Sequence, residues 1–321
     1  MSGVVFIFPG QGSQYAGMGR ELAESFPMAR GVFEEADRTL GFSVSELCFS
    51  GPEEALKLTE NTQPALLTVS VAAYRVMEQK GVRPDYVAGH SLGEYSALVA
   101  SGALKFADAI RLVRKRGQYM QEAVPRGEGA MAAILGMRPG QVAEICRKAT
   151  DGRVMPANLN SPEQTVISGD AAAVKNAVEH ASAAGAKRAV MLPVSAPFHS
   201  ELMRPAQERL KEELRATEFS SLKIPLVTNV DAEIITSGAE AREALIRQVT
   251  LPVRWEESIR ELIDQGAATF VEVGPGRVLS GLLRQIDRSV HSLNAEDVKS
   301  MQATLDRLTQ IRGEETEAEV S

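Results

Sequence analysis

The sequence predicts an α/β fold: a mostly parallel sheet flanked by helices, with a smaller α+β subdomain inserted into it. Three observations predict it. Short apolar strands alternate with amphipathic helices through the first third of the chain. The middle switches to the order β-α-β-β-α-β over roughly 65 residues, the split ferredoxin-like unit. The chain then returns to helices with two further strand signals.

In order, Val4-Val-Phe-Ile-Phe8 has the continuous apolar pattern of a buried strand and runs into the turn Pro9-Gly-Gln-Gly-Ser-Gln14. Pro64 to Met77 reads as a largely buried helix, Tyr86 to Ala88 as a short strand, and Leu92 to Ala100 as the next helix. The inserted unit follows. Its strands are predicted at 130–135, 154–157, 164–168 and 188–194, and its helices at 139–149 and 171–184. Strand signals recur at Ile224 to Thr228 and Thr269 to Val273. The expected organisation is a large catalytic subdomain from residues 1–127 and 195–310, a small subdomain at 128–194, and an acidic, disordered tail at 311–321.

Bulk composition excludes several classes. The net charge of −7 offers no general attraction to nucleic acid or to an anionic membrane. No apolar run approaches the ~18 residues of a membrane span, and no charged leader precedes the first strand, so no secretory signal is expected. Two cysteines, Cys48 and Cys146, lie far apart and form no motif, which points to a reducing compartment, the cytoplasm. The pattern is compatible with a monomer.

Gly89-His-Ser-Leu-Gly93 fits the Gly-x-Ser-x-Gly pattern, which is weak by composition alone. A strand before it and an apolar helix after it are what a nucleophile elbow requires. Ser91 would sit where the N–H of Leu92 can point at an oxyanion. Ser91 with Glu94 is equally a capping box, which needs no chemistry. The turn after the first strand lacks the third glycine of a dinucleotide site and the Gly-Lys-Ser/Thr of a phosphate loop. It can supply a second oxyanion donor, the N–H of Gln11, or be a plain tight turn.

A serine nucleophile needs a base. The histidines are His90, His180, His199 and His291. His90 adjoins Ser91 but leaves the elbow in another direction, His180 lies mid-helix and His291 near the C-terminal end. His199, directly after the strand that re-enters the large subdomain, is favoured. No histidine pair has helical metal-ligand spacing, so no metal is expected.

Phe106, Ile110, Val113, Gly117 and Met120 define the core face of one helix. Arg116 falls inside that apolar arc. A charge there is costly unless paired, and guanidinium suits a carboxylate. Arg116 is therefore either a binding group for a substrate carboxylate, one half of an internal salt bridge, or a snorkelling side chain.

Taken together these pieces resemble the malonyl-CoA:acyl carrier protein transacylases. The resemblance rests on Pro9 to Gln14, Thr62-Gln-Pro-Ala-Leu-Leu67, Gly89 to Glu94, Arg116-Gly-Gln-Tyr-Met-Gln121, Gly129 to Ile134, Asn158-Leu-Asn-Ser-Pro162, His199, Asn229-Val-Asp231, Arg247-Gln248 and Val273-Gly-Pro-Gly276. It implies a hydrolase-like α/β core with a ferredoxin-like insert, and Ser91 as nucleophile with His199 as base. It further implies that the Gln248 carbonyl orients His199, that Gln11 and Leu92 are the oxyanion donors, and that Arg116 holds the malonyl carboxylate. His90 and Phe198 are expected to line the acyl site. By analogy with polyketide acyltransferases, Phe198 looks like malonyl selection, because its ring leaves no room for an α-methyl group. The implied partners are malonyl-CoA and acyl carrier protein, with coenzyme A thioester as substrate and no cofactor. A serine thioesterase and a polyketide-pathway acyltransferase are the alternative readings.

Overall fold

The structure is a computed structural model and describes residues 3–125, 127–194 and 196–320. Ten strands fall into two sheets: β1 (Gly3–Phe8), β2 (Tyr86–Gly89), β3 (Gly129–Leu135), β4 (Val154–Ser161), β5 (Gln164–Asp170), β6 (Arg188–Met191), β7 (Leu226–Val227), β8 (Ile234–Ile235), β9 (Ala267–Val273) and β10 (His291–Ala295). The larger sheet has the order β10-β9-β1-β2-β7-β8, parallel throughout except where β8 turns back on β7. The smaller sheet, β4-β5-β3-β6, is antiparallel, and all its strands lie between residues 129 and 191.

A parallel sheet must be covered on both faces, and β1 displays this by its period of two. Phe6 and Phe8 face one side, where both rings meet Tyr74 of helix Thr59–Gln79 edge-on, in a core cluster that also takes in residues of helices Phe106–Glu122 and Pro27–Leu40. Val5 and Ile7 pack on the other side with Trp255, Ile259 and Leu262 of helix Trp255–Asp264 and with Leu279 and Leu283 of helix Val278–Ile286. The small sheet divides in the same way. Ala132, Ile134 and Ile167 pack under helices Pro139–Lys148 and Ala171–Ala183, while Met131 and Val166 face the large core. An isolated bridge from Asn158 to Val253 stitches β4 to the large part.

Several boundaries differ from the expectation, each for a local reason. Helix Thr59–Gln79 begins before Pro64. Proline there deprives the Glu60 carbonyl of its helical donor, and Arg114 Nη1 supplies one at 2.6 Å. The same helix meets Phe106–Glu122 so closely that a Cβ on Gly117 would lie 2.6 Å from Glu60 Cα. β6 stops at Met191, two residues short of Pro193. β8 and the edge strand β10 are too short or too polar to give a strand signal. The last helix, Val298–Val320, carries its backbone through residues 311–320, where disorder is expected from the sequence. Glutamate and alanine are good helix formers once a packed segment has nucleated the turns, and Met301, Leu308 and Ile311 are that segment. No helix among the described residues is long and apolar enough to cross a membrane.

Candidate active site

Neighbouring parallel strands β1 and β2 open their C-terminal ends onto one crevice, the usual ligand position in such sheets. The turns leaving them are in backbone contact. A Cβ on Gly93 would lie 2.8 Å from the Phe8 carbonyl carbon and closer still to its oxygen, and one on Gly10 would overlap the His90 carbonyl oxygen. Only glycine allows this approach. Between these glycines Ser91 has φ of 51°, a left-handed conformation that costs about 1–3 kcal/mol in a non-glycine residue.

The capping-box alternative is not realised. Helix Gly93–Ala100 has Leu92 as its N-cap with no side-chain cap, and the Glu94 side chain turns into the core. Ser91 Oγ instead lies 2.7 Å from His199 Nε2. His199, also left-handed at φ 55°, places Nδ1 2.8 Å from the main-chain oxygen of Gln248. A carbonyl oxygen only accepts, so Nδ1 must carry the proton. Nε2 is then the free lone pair facing the serine hydroxyl. Burial, with the charge of Arg116 second, lowers the His199 pKa to about 3. Among the described residues no carboxylate stands behind the pair; the Gln248 carbonyl takes that place.

Gln11 and Leu92 both line the cavity beside Ser91. Among the described residues neither main-chain N–H has a hydrogen-bond partner. This is the donor arrangement that can receive an oxyanion.

Arg116 is 2% exposed. Its Nη1 donates to Gln63 Oε1 at 2.8 Å, and its Nη2 donates to Gln248 Oε1 at 2.9 Å and Ser91 Oγ at 3.2 Å. Its Cζ lies 5.7 Å from the Tyr95 ring centroid. Burial pulls its pKa down, yet a guanidinium stays charged in a protein. No carboxylate among the described residues pairs with it directly. The salt-bridge and snorkelling alternatives are therefore excluded, and a full positive charge lies buried beside the serine oxygen.

The cavity measures about 180 Å³. Phe198 and His90 line it, as do Met131, Val166 and Leu192 from the small-sheet side. His90 turns Nε2 to Asn160 Oδ1 at 2.8 Å and sets its ring edge-on to Trp255. His180 and His291 lie on elements away from this cavity. The sequence left Gln63, Asn160 and Asn229 without roles and gave Glu94 only that of a helix cap, although each belongs to a motif quoted above. Gln63 continues a chain to the first turn: its Nε2 donates to Thr59 Oγ1 at 3.2 Å, which donates to Gln11 Oε1 at 2.8 Å. No group of three or more His, Cys, Asp or Glu side chains among the described residues is placed to hold a metal.

The acyl transferase domain family matches residues 5–318. A malonyl CoA-acyl carrier protein transacylase of Bacillus subtilis (strain 168) is 51% identical over 310 residues, covering 96% of this chain and 98% of that protein. The solved structure of a malonyl CoA-acyl carrier protein transacylase from Coxiella burnetii has a TM-score of 0.94 at 45% identity, covering 96% of this chain and 98% of that one. A malonyl-transacylase solved in complex with its type II PKS acyl-carrier protein has a TM-score of 0.93 at 45% identity, covering 95% of this chain and 100% of that one. Likeness over nearly the full length, on a chain whose serine and histidine meet in a crevice beside a buried arginine, fixes its place: the protein belongs to the acyl transferase domain family, with malonyl CoA-acyl carrier protein transacylases as its relatives.

Proposed function

We infer that this acyltransferase moves a malonyl group from coenzyme A to the phosphopantetheine thiol of acyl carrier protein through an ester on Ser91, in the service of fatty-acid synthesis. The observation that carries the reading is Arg116: a permanent charge without an ion-pair partner among the described residues, 3.2 Å from the serine oxygen. A malonyl carboxylate would give that charge its partner and turn the thioester carbonyl toward Ser91. His199 Nε2 takes the hydroxyl proton as Oγ attacks. The N–H groups of Gln11 and Leu92 receive the oxyanion, and the protonated imidazole delivers its proton as the coenzyme A thiol leaves. The carrier thiol then runs the sequence in reverse, so the kinetics are ping-pong.

Intact-mass spectrometry after brief exposure to malonyl-CoA tests this. The unmutated chain gains one malonyl group and Ser91→Ala gains none; an adduct on Ser91→Ala would discard the assignment. Rapid release of malonate without acceptor thiol would favour a thioesterase. Arg116→Ala is expected to lower kcat/KM for malonyl-CoA about 100-fold, equivalent to about 3 kcal/mol for hydrogen bonds to a charged group, with a far smaller loss for acetyl-CoA. Equal losses for both donors would remove the carboxylate from the reading. Phe198→Ser is expected to raise the methylmalonyl-to-malonyl rate ratio, and an unchanged ratio would refute the steric role of the ring.

The pH profile follows from the direction of the His199 shift. A base with a depressed pKa stays neutral, and competent, at every pH above it. The kcat/KM for malonyl-CoA should show no acid limb centred near the usual imidazole value. Glu94, a buried group hydrogen-bonded to the Gln248 amide, does titrate in this range, since burial pushes it up to about 7. An inflection near pH 6.5 that persists in Glu94→Gln would show that His199 titrates normally.

An acidic carrier protein calls for a locally basic docking face, for which Lys187, Arg188, Arg204, Lys211, Arg277 and Arg284 are the candidates; Lys187 pairs with Glu163 and Lys211 lies beside Glu208. Arg277 is the N-cap of the helix Val278–Ile286 and Arg284 lies on it, and Val278, Leu279 and Leu282 of that helix line the cavity. Charge reversal of these two arginines is expected to raise KM for the carrier and leave that for malonyl-CoA unchanged. Cys48 and Cys146 are free and buried, which fits a reducing, cytoplasmic setting, and we take the chain to act as a monomer. A panel of carrier proteins separates fatty-acid from polyketide service.

A further inference from the structure

Ser91 is held in its left-handed conformation by side chains from distant parts of the chain. Asn229 Oδ1 accepts the Ser91 N–H at 2.7 Å, and Asn229 Nδ2 donates to the Gly89 carbonyl at 2.6 Å. Gln248 Nε2 donates to the Ser91 carbonyl at 3.0 Å. The Ser91 N–H is thus satisfied from outside its own helix and strand, and its carbonyl accepts from Gln248 in addition to the Glu94 N–H at 3.1 Å.

The two holders converge on one buried group. Glu94 Oε2 accepts from Gln248 Nε2 at 2.7 Å and from the Asn229 N–H at 3.3 Å. Glu94 is 1% exposed, its Oε1 has no hydrogen-bond partner, and no cation pairs with it directly among the described residues. Leaving a carboxyl group in such a place is costly. Nothing in the proton transfer uses it.

Its effect on Gln248 explains its presence. An amide can turn over and exchange its oxygen with its nitrogen at little cost unless its neighbours forbid it. Here both ends are fixed. Arg116 only donates and meets Oε1 at 2.9 Å, while Glu94 Oε2 accepts from Nε2. With an acceptor at position 94, the amide keeps its nitrogen on the Ser91 carbonyl and its oxygen on Arg116. Without one, the amide loses the closest acceptor on its nitrogen and is held against turning only by Arg116 at Oε1 and by the Ser91 carbonyl and Asn229 Oδ1, the latter at 3.3 Å, at Nε2. An amide that did turn would set an oxygen against the Ser91 carbonyl and a nitrogen against Arg116.

We propose that Glu94 is a positioning residue for acyl transfer, acting through the orientation of the Gln248 amide on the Ser91 main chain and the Arg116 guanidinium. The proposal rests on the reading of Ser91 as nucleophile. The role belongs to an acceptor atom at a fixed point and does not require a charge. A proton on the unpartnered Oε1 leaves Oε2 able to accept.

Two conservative variants separate these properties. Glu94→Gln keeps an acceptor at the same reach and removes the charge. Glu94→Asp keeps the charge and withdraws the acceptor by one methylene. The rate of malonyl-Ser91 formation is measured by quenched-flow intact mass on folded protein, with KM and the unfolding midpoint alongside. We expect Glu94→Asp to slow acylation about 100-fold, the scale of a small misplacement of reacting groups, with KM little changed and Glu94→Gln close to the unmutated rate. The proposal is overturned if Gln is as slow as Asp, if the order is reversed, or if both match the unmutated rate. Failure of the unmutated chain to form any adduct would instead refute the reading of Ser91 itself.

Discussion

His199→Ala lowers the rate of malonyl-Ser91 formation by about 10⁴-fold or more, the scale seen when a serine nucleophile loses its base. No neighbour can take over. The other side-chain nitrogen hydrogen-bonded to Ser91 Oγ is Arg116 Nη2 at 3.2 Å, which has no lone pair to offer. His90 has its Nε2 committed to Asn160 at 2.8 Å. Because the His199 ring is held through the Gln248 main chain, no side-chain substitution at position 248 removes its acceptor. Gln248→Ala should therefore cost far less than His199→Ala. Quenched-flow intact mass measures both, and a loss of less than tenfold for His199→Ala would end its assignment as base.

Gly93→Ala is expected to destabilise the protein by at least about 3 kcal/mol, the upper end of ordinary overpacking. The added methyl would meet the main chain at the end of β1, at 2.8 Å from the Phe8 carbonyl carbon and 3.0 Å from the Pro9 oxygen. Backbone at the end of a central strand cannot swing aside as a side-chain tip can. The elbow helix would have to retreat from the sheet and take Leu92 with it. A denaturant midpoint close to that of the unmutated chain would show that the contact is looser than its geometry implies. By contrast Gly12→Ala, where no atom lies within 4 Å, meets no such obstruction and is limited by its φ of 108°.

What the sequence reveals of this site is what short-range pattern can encode. The elbow is legible because its strand and helix flank it directly. Arg116 is legible because three- and four-residue spacing gives the phase of its helix, and that phase puts a charge on the wrong face. His199 follows because few histidines compete. Asn229 is 138 positions from the residue whose N–H it accepts, and Gln248 is 157 from the carbonyl it holds. No periodicity connects such pairs, and an asparagine or glutamine in a helix or turn usually means no more than solvation or a cap. Glu94 was misleading for a related reason. Its spacing from Ser91 fits a capping box, but the sharp elbow turns Ser91 away from the helix and sends the carboxyl inward. Pro64 marked a helix start by rule, yet an arginine from the next helix replaces the missing donor. The inserted subdomain was readable because its strands and helices alternate in a known order. The strands β8 and β10 were not, being two residues long or half exposed.

The two glycine turns grip each other through main-chain atoms, whereas the opposite wall of the cavity is made of side chains, among them Met131, Val166 and Leu192. These two sides therefore have very different tolerance to inherited change. A substitution in the turns moves the reacting atoms and is lost with the activity. A substitution on the opposite wall alters the room for an acyl chain and leaves the reacting atoms where they were. Descendants of this fold that accept new acyl groups should therefore differ first along that wall and at Phe198, with Gly10, Gly89 and Gly93 unchanged.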